Sequence, residues 1–238
     1  MFSESIKSIR TNLQFSAIDK ELKTILLTSP EAGNGKSFVS ANLAVAYAQD
    51  GKRVLIIDCD LRRGRQHGIF NVMNQTNGGY SNLILNYKEE VKLSRYVVKT
   101  EVKNIDLIPT GPTPPNPIEL LASHNNERVI GELRQHYDII ILDCPPSLSL
   151  ITINALSASD SVVVPMQCEY FALGGLSQLI FTIKQVRRLY NPELDLLGVI
   201  LTMYDGRLNL TVQVMEEVKK HFPGKLLPQE SLCNRNSS

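Results

Sequence analysis

Residues Thr28–Ser37, TSPEAGNGKS, join an apolar run that reads as a strand, Thr24–Thr28, to one that reads as a helix, Phe38–Gln49. A glycine-rich turn placed between strand and helix, and opening the helix on Gly-Lys-Ser, is the architecture of a phosphate-binding loop. Gly33 and Gly35 let the backbone wrap closely and aim its N–H groups inward. The helix start adds its positive dipole end. The Lys36 ammonium can reach the β- and γ-phosphates of a nucleotide, and the Ser37 hydroxyl can ligate Mg²⁺. Pro30 stands where the G-x-x-x-x-G-K-[ST] pattern has its first glycine. The candidate nucleotide-binding residues are therefore Glu31, Ala32, Gly33, Asn34, Gly35, Lys36, Ser37 and Phe38.

Further apolar, β-branched runs follow at Val54–Ile57, Ile105–Ile108, Ile139–Leu142, Val162–Val164 and Leu196–Leu201. Helical periodicity fills most of the gaps, at Asn125–Gln135, Gly174–Tyr190 and Asn209–His221. Strands apolar on both faces and alternating with helices predict an α/β fold with a mostly parallel central sheet. At 238 residues and 43% hydrophobic content, one domain over residues 1–222 is expected. Pro109–Pro117, PTGPTPPNP, predicts a stiff proline loop, and Pro223–Ser238 lacks periodicity and predicts a disordered tail.

A net charge of +1 points to neither nucleic acid nor membrane as a partner. The clusters Arg62-Arg63-Arg65 and Lys184/Arg187/Arg188 read by default as solvated faces. No apolar run reaches membrane-spanning length, and Met1–Arg10 is no signal peptide. Cys59, Cys144, Cys168 and Cys233 form no metal-ligand spacing and read as packing residues in a reducing cytoplasm. In a first helix over residues 3–16, Ile6, Ile9 and Leu13 form an apolar stripe behind a Ser3 cap. Glu4, Lys7 and Arg10 line its polar face.

Strand-ending aspartates are the second informative class. Asp58 and Asp60 follow the second strand in LIIDCDLRR, and Asp143 follows the fourth in YDIIILDCPP. Ligands of open parallel sheets bind beyond the carboxyl ends of strands, so these groups should converge on Lys36. An aspartate after four apolar residues needs a partner, and Mg²⁺ supplies one. Ser37, Asp58 and Asp143 are the candidate metal ligands, Asp143 acting through water. Lys36, Asp58 and Asp60 are the candidate catalytic residues, with Asp58 placed to accept a proton from the nucleophile. The plainer alternative for Asp58 and Asp143 is N-capping of the segment that follows. Eukaryotic-type kinase signatures and a dinucleotide fingerprint are both absent.

With ESIKSIRTNLQF, LLTSPEAGNGKSFVSANLA, VLIIDCDLRRGRQHGIF and IPTGPTPPNPIELLAS, residues 1 to about 136 resemble the bacterial tyrosine kinases of the CpsD/CapB type. From about residue 137, YDIIILDCPPSLSLITINALSASDSVVVPMQCEYFALGGLSQL resembles a ParA-type partition ATPase. The chain thus reads as a mosaic. The resemblance implies a three-layer P-loop NTPase fold (SIMIBI-like) and ATP with Mg²⁺ as cofactors. On the kinase side it implies Asp58, Asp60 and Arg62 as a D-x-D-x-R motif, with Asp58 the base toward tyrosine. It also implies a homo-oligomer through Glu4, Lys7 and Arg10, protein tyrosine substrates, and a membrane adaptor that recruits the cytoplasmic chain to the membrane's inner face. On the partition side, Glu31 stands where that family has a signature lysine. The capsular tyrosine cluster is missing, since Tyr204 is the last of eight tyrosines. Gly224–Ser238 matches neither family's ending, which leaves the adenine side of the pocket in question. The main expectation is a P-loop protein-tyrosine kinase of capsule or exopolysaccharide synthesis. The alternatives are a ParA/MinD-type ATPase that hydrolyses ATP in DNA partitioning, and a chain that binds nucleotide without turnover.

Overall fold

The computed structural model describes residues 2–16, 22–74, 78–88, 91–121, 123–146, 155–169, 172–204 and 207–227. Its strands are β1 (Thr24–Leu27), β2 (Val54–Asp58), β3 (Val98–Lys99), β4 (Ile105–Ile108), β5 (Ile139–Asp143), β6 (Ser161–Gln167) and β7 (Asp195–Thr202). They form one sheet in the order β3-β4-β2-β5-β1-β6-β7. Every pairing is parallel except β3 with β4. The six apolar runs are thus all strands. The seventh strand, β3, has only two residues and offers no period to detect.

Helices α1 (Phe2–Ser16), α2 (Lys36–Gln49), α3 (Gln66–Ile69), α4 (Tyr80–Leu85), α5 (Pro117–Leu121), α6 (His124–Leu133), α7 (Ala172–Leu189) and α8 (Asn209–His221) cover both faces. Alternate strand residues divide between the two layers, as the two-residue period of a strand requires. Ile25, Leu27, Ile56 and Ile141 pack with Ile6, Ile9 and Leu13 of α1 and Val39, Leu43 and Tyr47 of α2. Leu26, Leu55, Ile57, Ile140 and Leu142 pack with Leu83 of α4, Val129 of α6, Ile183 of α7 and Val218 of α8. The result is the three-layer α/β P-loop fold. Pro117 ends the proline loop by opening α5, where a missing backbone donor is harmless.

Two expectations need correction. Arg10 does not stand clear on an outward face: its Nη1 donates to the Ala46 carbonyl at 3.1 Å and pairs with Asp50 at 3.3 Å. Only Glu4 and Lys7 of that trio are exposed. The expected tail is also ordered at its start. Leu227 is buried, and its N–H donates to the Val199 carbonyl at 3.0 Å, while the Val199 N–H donates to Lys225 at 2.7 Å. Residues 228–238, with Cys233, lie outside the described residues. Among the described residues, no helix is long and apolar enough to cross a membrane.

Candidate nucleotide-binding site

Because β1 lies between β5 and β6, its carboxyl end opens at the centre of the sheet, where the chain reverses direction across the strand order. The loop after β1 turns through Gly33 at φ 85° and Gly35 at φ 77°, left-handed values that glycine adopts without strain. Its back is anchored firmly. The Gln167 N–H donates to Asn34 Oδ1 at 2.7 Å, Thr202 Oγ1 donates to the Asn34 carbonyl at 3.0 Å, and Asn34 Nδ2 donates to the Glu31 carbonyl at 2.8 Å.

In front of the loop lies a cavity of about 360 Å³, lined by Ala32, Gly33, Gly35, Lys36, Ser37, Phe38 and Asp60 from the expected set. Arg63, Arg65, Ile69, Cys144 and Pro146 also line it. Glu31 and Asn34 do not. Glu31 is exposed, and the buried Asn34 braces the loop from behind. Lys36 is buried to 8% exposure, and that desolvation pulls its ammonium below the ordinary lysine range against the attraction of Asp143 and Asp60. Lys36, Arg63 and Arg65 set against Asp60 leave the cavity cationic, as a polyphosphate requires.

Arg63 and Arg65 are solvent-exposed, as a solvated face requires, and both also line the cavity. Arg62, the residue the D-x-D-x-R motif would select, is exposed and does not line it. Sequence spacing placed three arginines near Asp60 but could not say which two would border the cavity.

Beneath the cavity, Asp58 and Asp143 are register partners on β2 and β5. Neither lines the cavity wall. Asp143 accepts from Ser40 Oγ at 3.2 Å, from Gln66 Nε2 at 2.7 Å, and from the Ser37 hydroxyl. Asp58 accepts the Gln66 N–H at 2.9 Å and the Asp60 N–H at 3.3 Å, so it also caps α3, the plainer of its two readings. Burial pushes both carboxyls above the ordinary range, and for Asp58 the neighbouring Asp143 adds to the push. Gly64 lets the intervening loop pass close by: a Cβ there would lie 2.2 Å from Thr110 Cγ2 and 2.7 Å from Asp58 Oδ2. Cys59 and Cys144, next after the two aspartates, are both buried in the core, and Cys144 also borders the cavity.

Gln66 is the residue that sequence reasoning missed. It is fully buried, and its Nε2 also donates to the Ser37 carbonyl at 3.0 Å. Only a polar side chain in an otherwise charged segment hinted at it. The donors around Asp143 suit Mg²⁺: a buried carboxylate and the Ser37 hydroxyl are hard oxygen ligands, and a cation would offset the burial that now disfavours the anion. Among the described residues no group of three or more His, Cys, Asp or Glu could hold a metal. An ion here would accordingly be shared with phosphates and water, as is usual for Mg²⁺.

The AAA_31 family model, described as an AAA domain, matches residues 22–196. The chain is 42% identical over 209 residues to the sporulation initiation inhibitor protein Soj of Bacillus subtilis, covering 86% of this chain and 81% of that one. It is 46% identical over 147 residues to the putative tyrosine-protein kinase CapB of Staphylococcus aureus, covering 60% and 61%. The crystal structure of cobyrinic acid a,c-diamide synthase from Mycobacterium smegmatis, with bound ATP analogue and magnesium, superposes with TM-score 0.75 at 27% identity. That match covers 85% of this chain and 83% of the synthase. The family match and the Soj match both run through the changeover expected near residue 137, so the mosaic has no support. The chain belongs to the AAA domain family AAA_31 and is a P-loop ATPase of the group that holds ParA-type partition proteins and the capsular tyrosine kinases.

Proposed function

We propose that this chain is a cytoplasmic, Mg²⁺- and ATP-dependent ATPase of the Soj/ParA partition type, with water as the phosphoryl acceptor. The observation that carries this reading is the closure of Asp58. It is fully buried, and both of its oxygens accept backbone N–H groups. A protein tyrosine cannot bring its hydroxyl within hydrogen-bonding reach of that carboxylate without displacing the Gln66 segment. Water enters the cavity with the nucleotide, and in this reading it is oriented beside the phosphates without contact to Asp58. The 42% identity to Soj along most of both chains supports the same choice.

In this reading the loop amides and Lys36 hold the β- and γ-phosphates, and Arg63 and Arg65 supply further positive charge beside them. Ser37 and Asp143 would hold Mg²⁺, which, when bound, neutralises charge on the transferring phosphoryl group. The exposed Glu31 cannot do what a lysine there would do, so cationic help comes from the chain's own arginines.

A second reading, a capsular-type protein-tyrosine kinase, is favoured by the 46% identity to CapB. It would use a membrane adaptor, protein tyrosine substrates and self-assembly through Glu4, Lys7 and Arg10, the last of which must first leave Asp50. Incubation with γ-labelled ATP and Mg²⁺, with and without an adaptor's cytoplasmic tail, separates the two. Release of free phosphate without labelled tyrosine supports the first reading. Labelled phosphotyrosine replaces it with the second. Nucleotide binding without either product refutes both as catalysts. DNA retention that requires ATP and falls steeply with salt would identify the partner of the partition reading.

A further inference from the structure

Gln66 occupies the point where three parts of the site meet. Its backbone N–H donates to Asp58 Oδ2 at 2.9 Å, and its side-chain Nε2 donates to the Ser37 carbonyl at 3.0 Å and to Asp143 Oδ2 at 2.7 Å. The Ser37 carbonyl can only accept, which fixes which end of the amide is nitrogen. The other end, Oε1, is buried and has no hydrogen-bond partner among the described residues. An unsatisfied buried acceptor costs about 1–3 kcal/mol. A residue that is 0% exposed and otherwise fully engaged does not keep an open lone pair by accident of the surface.

No described protein group donates to Oε1, so its donor would be a water or a ligand. Ser40 Oγ on α2 already donates to Asp143 Oδ1. Hydrated Mg²⁺ held by Ser37 and Asp143 brings water O–H groups into this corner, and Mg²⁺ characteristically keeps several of its waters. We propose that Gln66 is a positioning residue of the metal site: Nε2 fixes Asp143 and the loop at Ser37, and Oε1 accepts a hydrogen bond from a water bound to Mg²⁺. The inference rests on the reading of the cavity as a Mg-nucleotide site. It adds a partner that orients both a ligand and the metal's water, the kind of outer contact on which metal affinity depends.

The test is thermal melting of the full chain with ADP alone and with ADP under Mg²⁺ titration, for wild type, Gln66→Met and Gln66→Asn. In Gln66→Met, half-saturation by Mg²⁺ should move to roughly 10–100-fold higher concentration, a larger change than any in the shift given by ADP alone. In turnover, kcat at fixed Mg²⁺ should fall and recover as Mg²⁺ is raised, with the nucleotide KM unmoved. A Mg²⁺ titration that coincides with wild type overturns the proposal, as does equal loss of the ADP-only shift, which marks a merely structural role. If Gln66→Met does not melt cooperatively, Gln66→Asn, one methylene too short to reach, must show the raised Mg²⁺ requirement or the proposal fails. Absence of any shift in wild type would instead refute the nucleotide site itself.

Discussion

Asp58 and Asp143 face each other in register at the carboxyl ends of β2 and β5, at 0% and 1% exposure. Two carboxyls so placed resist ionising, and burial raises both. Their folded values lie above their unfolded ones, so their contribution to stability is whole below the ordinary carboxylate range near ~4 and is lost as pH rises through the raised values. In EDTA and without nucleotide, the melting temperature of Asp58→Asn relative to wild type should therefore climb as pH goes from about 4 to 8. A flat difference across that window would show that Asp58 ionises without penalty.

Lys36 is a charged group held in the fold against its own desolvation. Lys36→Met should leave the nucleotide-free chain at least as stable as wild type. It should also abolish the melting shift that Mg·ADP gives, worth about 2.7 kcal/mol at a hundredfold excess over Kd. Differential scanning fluorimetry with and without nucleotide measures both effects, and an undiminished shift would place the phosphates elsewhere.

Gly64 has no room for a methyl group. Gly64→Ala should destabilise the chain by about 1–3 kcal/mol in urea unfolding. Adding Thr110→Ser removes the Cγ2 that a Cβ would strike at 2.2 Å and should restore part of that loss. The contact with Asp58 Oδ2 remains, so recovery should be incomplete and nucleotide affinity should stay reduced.

At the opposite end of the sheet, Asp160 accepts the Lys23 N–H at 3.0 Å, the Thr24 N–H at 2.7 Å and Arg134 Nη1 at 2.8 Å. Asp160→Ala leaves those donors at the start of β1 unpaired and should cost about 2–4 kcal/mol. Because the change is far from Lys36, the nucleotide KM should not move. A changed KM with unchanged stability would contradict this placement.

The six longer strands were legible because each carries a mostly apolar, largely buried run, broken in β4 by Asp106 and in β7 by Gly198. The loop was legible because its glycines and Lys36 follow a strand and precede a helix. What spacing could not convey was orientation at the level of one side chain. Arg62 and Arg63 are neighbours, yet only Arg63 lines the cavity. Arg10 has the spacing of an outward residue but finds the Ala46 carbonyl on α2 and the Asp50 carboxylate just beyond its end. Gln66 stayed hidden because its partners come from β2, α2 and β5, segments far apart in sequence that only the sheet brings together. Short elements such as α3 and β3 were missed for want of a full period.

The bridge between Leu226 and Val199 has a consequence for how copies of this chain can meet. It covers part of the outer rim of β7 with the chain's own backbone, while the other rim is the two-residue β3, ending in Lys99. Rims that are this short, charged or already occupied offer poor templates for another molecule's strand. Continuation of the sheet from one molecule into the next is thereby disfavoured at both ends, so contacts between copies would have to be made by side chains rather than by shared strands.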